Sequence, residues 1–244
     1  MNTININKKN VKMIAHRGLS GLETENTAAA FVAAGNRSYF GIETDVHVTK
    51  NNKIAVIHDA KTNRVSAVDM NVEESSLEEL QSIPLYNKGA YNKEVGHYRT
   101  DLRIPSLADY ISICKRYEKK AILELKDRMS LDSVAQIITI IEEFDYLENV
   151  IFISFKWDNL MHVRELLPEQ KVQYLISECD HALVEKLIQE RVDLDILSPS
   201  VTKELVDILH KNHLEINCWV VDDAAEASKL IDLGVDYITS NILE

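Results

Sequence analysis

The stretch AILELKDRMSLDSVAQIITIIEEFDYLENVIFISF, residues 121–155, predicts a strand, a helix and a second strand in succession. Residues 121–125 and 150–155 are short apolar runs, which are typical of buried strands. Between them, residues 131–144 place apolar side chains at helical spacing. A buried strand followed by a helix and another buried strand indicates a parallel β/α unit.

Similar units continue along the chain. Further apolar runs at 172–177, 195–200, 215–221 and 235–240 alternate with amphipathic segments at 157–166, 181–190, 202–211 and 223–233. Near the start, residues 12–18 and 40–46 predict strands and residues 26–35 a helix. So many units in 244 residues favour an α/β fold of the TIM-type, a closed (β/α)8 barrel, over an open doubly wound sheet. Because no Gly/Ser-rich or Pro-rich linker divides the chain, we expect one barrel domain over residues 1–244.

One step breaks the repeat. Only residues 49–52 separate the strand-like runs 40–48 and 53–59, whereas a parallel crossover needs about a dozen residues or more. This step is therefore either a hairpin or a strand that leaves the barrel. Nine candidate strands compete for eight places, and the pattern leaves open which one is spare.

Residues 60–105 form a long segment without an apolar strand. It contains several tyrosines and basic residues, namely Tyr86, Lys88, Tyr91, Lys93, Tyr98, Arg99 and Arg103. Loops of this length in compact domains are often functional. The segment leaves the barrel just after His58, so we expect either an insertion that lies over a site or a surface insertion without a role.

The composition excludes some partners. The formal charge is −12 and the pI about 5.2, so the surface repels nucleic acid and anionic membranes. No apolar run is long enough for a membrane span, and the polar first dozen residues do not resemble a signal peptide. Cys114, Cys179 and Cys218 show no disulfide or zinc spacing, so we expect reduced thiols in a cytoplasmic protein. The oligomeric state stays open.

Three acidic residues occur where predicted barrel strands end. Side chains alternate along a strand, so Glu43 and Asp45 point to one spot, and Glu124 lies at the end of the strand 121–125. Active sites of TIM-type barrels lie at this end. Carboxylates that converge in a low-dielectric site repel unless a cation compensates them. Oxygen ligands suit a hard divalent ion, and we expect Mg²⁺ or Ca²⁺. The alternative for each single residue is a solvated loop acid.

Two histidines lie at other predicted strand ends. His16 follows the first strand and His58 the third. An imidazole accepts and donates protons near neutrality, so this pair predicts a catalytic acid and base. The alternative is a hydrogen-bonded core histidine. We accept that bland interpretation for the histidines expected in loops or on helix faces, which are His47, His97, His162, His181, His210 and His213.

Arg17 and Lys126 are the cations nearest to these acids in the predicted arrangement. An arginine matches phosphate oxygens through two parallel N–H bonds, while a lysine offers a point charge. They predict binding of a small-molecule phosphodiester, although neutralisation of buried acids alone is the alternative. Trp219 ends a strand and is either a packing wall for a bound alcohol or ordinary core.

The chain also contains motifs that resemble the signature of the glycerophosphodiester phosphodiesterase family. They occur in the family's order over nearly the whole chain. The matching residues are His16-Arg17-Gly18, Glu25-Asn26-Thr27, Gly41 to Val46 with Thr49, Val56 to Asp59 with Arg64, Ile104 to Leu107, Glu124-Leu125-Lys126, Ser154-Phe155, Trp219 and Leu233 to Asp236.

This resemblance implies a TIM-type barrel that hydrolyses glycerophosphodiesters to an alcohol and sn-glycerol 3-phosphate, in lipid and glycerol metabolism. It implies metal binding by Glu43, Asp45 and Glu124, acid–base catalysis by His16 and His58, and phosphate contacts from Arg17 and Lys126. A free glycerol hydroxyl is expected to attack first and give a cyclic phosphate that water opens.

Two features depart from the family's pattern. Arg64 is not followed by the usual threonines and glycines, and Ser240 and Asn241 replace a common aspartate near the end. We expect neither departure to touch the metal or acid–base residues, so substrate choice is the property they affect.

Three other functions are weighed. A lysophospholipase D would cover an acyl chain with residues 60–105, but that segment has few large aliphatic residues, among them Val68, Leu77, Leu80, Ile83 and Leu85. A Schiff-base aldolase would use Lys126 but not Glu43, Asp45 and a second histidine. A non-enzymatic binding barrel predicts the loss of an acid or histidine, and none is missing.

Overall fold

The computed structural model describes residues 2–86 and 99–244. Eight parallel strands close into a barrel with helices between them, which confirms the predicted TIM-type fold. The strands are β1 (Lys12–Ala15), β2 (Gly41–Val48), β3 (Ile54–Val56), β4 (Lys120–Leu125), β5 (Val150–Ser154), β6 (Val172–Ile176), β7 (Asp193–Leu197), β8 (Ile216–Trp219) and β9 (Tyr237–Ser240). The barrel order is β1-β9-β8-β7-β6-β5-β4-β2, and β2 pairs with β1 to close it.

The helices are α1 (Ala28–Gly35), α2 (Leu77–Ser82), α3 (Leu107–Arg116), α4 (Leu131–Glu142), α5 (Trp157–Leu166), α6 (His181–Glu190), α7 (Lys203–Lys211) and α8 (Ala224–Leu233). Seven of the eight α-helices in the described ranges begin where a polar side chain caps the first turn, and α5 is the exception. Ser106 and Asp109 form a reciprocal capping box at α3. None of the helices in the described ranges is long and apolar enough to cross a bilayer.

The spare strand is β3. It pairs antiparallel with β2 in the register Val46↔Val56, and residues 49–52 form the hairpin turn. His58 therefore follows an antiparallel strand at the rim of the barrel, which is the hairpin alternative that the sequence left open. The amide of Ile57 donates to the carbonyl of Asp45 at 3.1 Å, which keeps this segment beside the end of β2.

The described parts of the 60–105 segment have a small hydrophobic core of their own. It joins Val65, Val72, Leu80 and Leu102 to Ala55 of β3. The segment also contacts the loop after β1, where the Thr24 hydroxyl donates to the carbonyl of Tyr86 at 2.8 Å. Lys88, Tyr91, Lys93, Tyr98 and His97 lie outside the described residues. The role of this segment as a cover for the site stays a prediction.

The barrel interior is layered. Lys12, Lys171, Glu215 and Tyr237 form a network of polar contacts at its amino-terminal end. Above them lie Ile14, Ile122 and Ile151 with other apolar side chains. In TIM-type barrels the active site lies at the other, carboxyl-terminal end.

Candidate active site

Three acids from neighbouring strands meet at the carboxyl-terminal end of the barrel. Asp45 of β2 is in register with Glu124 of β4, and Glu43 faces the same side two residues earlier. One carboxylate oxygen from each residue lies within 4.8 Å of the others, and all three side chains are buried. The structure thus brings the three predicted ligands together in a group that could hold a metal ion.

Two cations flank the acids, as the sequence predicts. Lys126 Nζ lies 2.9 Å from Glu124 Oε1 and 3.3 Å from Asp45 Oδ1. Arg17 Nε lies 3.6 Å from Asp45 Oδ2, and Arg17 Nη1 donates to Glu25 at 2.9 Å.

The loop after β1 is shaped to place these groups. Arg17 and Gly18 both have positive φ, 52° and 73°. Their amides then point at β2, where Arg17 N donates to Glu43 Oε2 at 2.7 Å and Gly18 N to the Glu43 carbonyl at 3.1 Å. A Cβ atom on Gly18 would lie 2.7 Å from Ala30 of α1. Only glycine satisfies both the backbone conformation and this close approach.

Asn26 orients Asp45 within the same loop. Its Nδ2 donates to Asp45 Oδ2 at 2.8 Å, and its Oδ1 accepts from the Thr44 hydroxyl at 2.6 Å. Asn26 is part of the Glu25-Asn26-Thr27 motif, which alone does not indicate this contact. Asn26 has φ 52°, a conformation that asparagine tolerates better than most residues.

His16 lies beside the acids with its ring fixed from behind. Its Nδ1 is 2.8 Å from Asn241 Oδ1, and Asn241 Nδ2 donates to Asp222 at 2.6 Å. With the amide oriented by Asp222, Nδ1 carries the proton and Nε2, 4.0 Å from Glu43, is left as an acceptor. Burial and the nearby Arg17 lower the pKa of His16 to about 4. The expectation that Asn241 stays clear of the acid–base residues is wrong.

His58 is held by a chain of charged residues. Its Nδ1 lies 2.6 Å from Asp59 Oδ1, and Asp59 pairs with Arg64. Arg64 donates twice to Glu25, at 2.6 and 2.8 Å, and Glu25 pairs with Arg17. The 60–105 segment thereby connects the second histidine to the guanidinium beside the acids.

His47 is the residue that the sequence prediction misplaced. It lies in β2, almost fully buried, rather than in a loop or on a helix. Its Nδ1 contacts Asp127 at 2.7 Å, and its Nε2 lies 3.0 Å from the carbonyl oxygen of His58. The alternation Glu43, Asp45, His47 is the signal that could have placed it on the inward face. His47 is thus a hydrogen-bonded core histidine, although it lies in a strand, and it contacts the backbone of His58.

A pocket opens above the acids. His16, Arg17, Glu43, His58 and Glu124 line one side of it. The other residues that line it come from later in the barrel and are mostly apolar, namely Ile153, Phe155, Leu175 and Trp219, with the polar Asp195 and Thr239. Trp219 packs edge-on against Phe155, with ring centroids 5.6 Å apart. Trp219 thus lines the pocket wall.

The charge balance of the acids fits a divalent cation. Burial and the charge of Asp45 raise the pKa of Glu124 to about 8 and that of Glu43 well above its usual value. Burial would also raise the pKa of Asp45, but Lys126 and Arg17 bring it below its ordinary value. Asp45 Oδ1 is buried without a hydrogen-bond partner among the described residues. Buried carboxylates whose ionisation is unfavourable form a group that could hold a metal ion through oxygen ligands.

The fold and the site together define a class. Convergent carboxylates, two cations and two imidazoles at the carboxyl-terminal end of a TIM-type barrel are the components of a barrel phosphodiesterase. The model of the glycerophosphoryl diester phosphodiesterase family matches residues 16–243. The chain belongs to this family, and it is a phosphoric diester hydrolase.

Individual relatives agree with the family. A glycerophosphodiester phosphodiesterase of Caldanaerobacter subterraneus subsp. tengcongensis is 30% identical over 235 residues, which cover 94% of this chain and 93% of the relative. A lysophospholipase D of Rattus norvegicus is 27% identical over 125 residues, 51% of this chain and 40% of the relative. A phosphodiesterase of Oleispira antarctica, solved in complex with the product sn-glycerol-3-phosphate, superposes with a TM-score of 0.83 at 23% identity, covering 94% and 92% of the two chains.

Proposed function

We propose that this enzyme hydrolyses small glycerophosphodiesters, such as glycerophosphocholine and glycerophosphoethanolamine, in a metal-dependent reaction. The products are the headgroup alcohol and sn-glycerol 3-phosphate. The main support is the position of three buried acids within 4.8 Å of one another, beside both histidines and both cations.

Glu43, Asp45 and Glu124 would hold the metal, and their oxygen ligands suit Mg²⁺ or Ca²⁺. The bound ion would supply positive charge that neutralises the acids and the phosphate oxygens. The ion would also explain why this enzyme can bury three carboxylates beside only two cations.

Arg17 and Lys126 would bind the non-bridging phosphate oxygens. A diester has one negative charge, and more charge develops on these oxygens during attack at phosphorus. Lys126 is held between Asp45 and Glu124, and Arg17 between Glu25 and Asp45, so both cations are oriented before substrate binds. Such preorganisation lowers the cost of stabilising the transition state.

The two histidines would move the protons. In the proposed first step, a glycerol hydroxyl oxygen bonds to phosphorus and the bond from phosphorus to the headgroup oxygen breaks. One imidazole accepts the hydroxyl proton and the other donates a proton to the departing alcohol. Water then opens the cyclic phosphate. This route requires no serine or cysteine nucleophile.

A lysophospholipase D is less well supported. An acyl chain would need exposed aliphatic residues to cover it, but Leu77, Leu80, Ile83 and Leu85 are buried in the core of the 60–105 segment itself. Val68 of the same segment is exposed.

The test is a panel of glycerophosphodiesters incubated with the enzyme and Mg²⁺ or Ca²⁺, with coupled detection of sn-glycerol 3-phosphate. We expect product that EDTA abolishes and that added metal restores. Glu43→Gln serves as the matched variant, because it keeps the side-chain volume and removes the charge. Absence of product from every headgroup, or product insensitive to EDTA, would contradict the proposal.

A further inference from the structure

The side of the pocket opposite the acids contains a buried carboxyl group that has no part in the proposed chemistry. Asp195 lies on β7, in register with Leu175 of β6 and Asn217 of β8, and only 2% of it is exposed. Its pocket neighbours include Ile153 and Trp219. Asn217 hydrogen-bonds to its carboxyl group, and a carboxyl oxygen that stays unpaired at such burial is costly to the fold.

Asp195 Oδ1 has no hydrogen-bond partner among residues 2–86 and 99–244. Asp193, two residues earlier on the same face of β7, is a buried aspartate whose hydrogen bonding can be compared with that of Asp195. Asp193 accepts from the amide of Glu215 at 2.8 Å and lies 3.5 Å from Lys171 Nζ. The chain therefore satisfies one buried aspartate of this strand and leaves an oxygen of the other free at the pocket.

A second unsatisfied group lines the same pocket. The indole Nε1 of Trp219 is buried and also has no hydrogen-bond partner in the described part of the chain. Buried polar atoms are nearly always paired, so two unpaired atoms in one pocket indicate a missing ligand. An indole N–H only donates, whereas a carboxyl oxygen accepts.

A hydroxyl group has the chemistry that both atoms require, since it can donate to Asp195 and accept from Trp219. An ammonium group has donors only and would leave the indole N–H unpaired. A quaternary ammonium has no N–H to offer to Asp195. Thr239 adds a further polar side chain to this otherwise apolar wall.

We propose that Asp195 and Trp219 bind the terminal hydroxyl of the substrate's glycerol arm, the one that neither bears the phosphate nor attacks it. This inference rests on the proposed function and assigns two residues to the recognition of one hydroxyl of its substrates. In a 1-acyl lysophospholipid this hydroxyl is esterified, so its oxygen has no hydrogen to donate to Asp195. The acyl chain would also contact Ile153 and Leu175.

The experiment compares two ligands that differ only in this hydroxyl. Binding of sn-glycerol 3-phosphate and of propane-1,2-diol phosphate is measured by calorimetry in the presence of Mg²⁺, and kcat/KM is measured for the corresponding ethanolamine diesters. We expect the wild type to prefer the glycerol compounds roughly 10- to 100-fold in both measurements, because a ligand without the hydroxyl leaves buried polar atoms of the pocket unpaired.

Asp195→Leu should abolish the preference, and Asp195→Asn should retain part of it, because an amide oxygen still accepts a hydrogen bond. Asp193→Asn, the same substitution two residues away on β7, should keep the full preference. Thermal unfolding is measured for each variant to establish that it is folded, because Asp195→Leu removes a buried acid but also a hydrogen-bond partner of Asn217.

Equal binding of the two phosphates by the wild type, no binding of sn-glycerol 3-phosphate, or an undiminished preference in folded Asp195→Leu would overturn the inference. Failure of the proposed function gives a different result. In that case the wild type hydrolyses neither diester, while the calorimetric comparison still decides whether Asp195 and Trp219 recognise the hydroxyl.

Discussion

Asp45 is the most constrained residue of the acidic group. Asn26 donates to one of its oxygens, and Lys126 and Arg17 lie 3.3 and 3.6 Å away. These contacts keep Asp45 ionised although it is almost fully buried, whereas its negative charge raises the pKa of Glu124. Lys126 is shared between Asp45 and Glu124, so the two cations leave excess negative charge on the three buried acids, which a bound cation would offset.

His16 provides the most direct test of the proton transfers. We expect His16→Ala to lower kcat/KM by at least ~10²-fold, the usual scale for losing an acid or base. The measurement is steady-state hydrolysis of glycerophosphocholine with sn-glycerol 3-phosphate detection. His181→Ala is the control, because His181 is an exposed residue of α6. Unchanged turnover in His16→Ala would remove this residue from the mechanism.

The pH dependence should follow His58. Burial lowers the pKa of His58, and Arg17 and Lys126 add to this, against the opposing effects of Asp45 and Asp59. A lowered pKa means that the ring stays neutral, and able to accept a proton, to a more acidic pH than free histidine. We therefore expect kcat/KM to be level near neutrality and to fall as the pH drops through a value below about 6.5. An acid limb centred above 7 would contradict this assignment.

The residues predicted from the sequence are those that follow simple geometric rules. Glu43 and Asp45 share a face because strand side chains alternate, and the barrel places Glu124 beside them. Asn241 could not be paired with His16 in this way. Their contact joins residues 225 positions apart and depends on how Asp222 turns the amide. Asp195 follows the alternation, but its free oxygen is visible only once its neighbours are known.

Among the elements, the loop between β1 and α1 is the one whose backbone decides the site. Gly18→Ala should destabilise the fold by at least ~2 kcal/mol, from a left-handed backbone and from a Cβ 2.7 Å from Ala30. Because Arg17 and Gly18 both donate to Glu43, the shift should also lower activity. Chemical denaturation and steady-state kinetics measure the two effects.

Gly234→Ala is the matched control for Gly18→Ala. Gly234 has φ 94°, but the nearest atom to an added Cβ is Val206 at 3.7 Å, and it lies at the end of α8. It should therefore lose stability through backbone strain alone, by less than Gly18→Ala, and keep its activity. Equal losses at both glycines would show that close approach to α1 does not matter.

The elements that the sequence did not predict lie in and beside the 60–105 segment. The hydrophobic pattern of β3 resembles that of a barrel strand, and only its four-residue turn separates the two cases. Helix α2 has six residues, too few to show a clear helical period, and α3 follows without an apolar strand before it. Periodicity identifies repeated β/α units well, but it does not reveal an insertion that packs on its own core.

At the scale of the whole molecule, the two ends of the barrel differ in how their charged residues are paired. The chain has a formal charge of −12, and the three buried acids at the pocket lie beside only two cations, Lys126 directly after β4 and Arg17 in the loop after β1. The opposite end of the barrel is closed differently, by Lys12 and Lys171 around Glu215. The carboxyl-terminal end thus combines three acids within 4.8 Å of one another with the pocket lined by both histidines. We therefore expect a cation to affect the stability of the fold as well as its activity.

Metal binding should accordingly raise the thermal unfolding temperature of the metal-free protein. A ligand that binds only the native state adds about 2.7 kcal/mol at 100 times its Kd, and for a chain of this size each kcal/mol shifts Tm by about 2–4 °C. Saturating Mg²⁺ or Ca²⁺ should therefore raise Tm by roughly 5–10 °C after EDTA treatment. In Glu43→Gln the shift should shrink strongly, while the metal-free variant should be at least as stable as the metal-free wild type, because one buried acid is gone. An equal shift in both proteins would place the bound ion somewhere other than Glu43, Asp45 and Glu124.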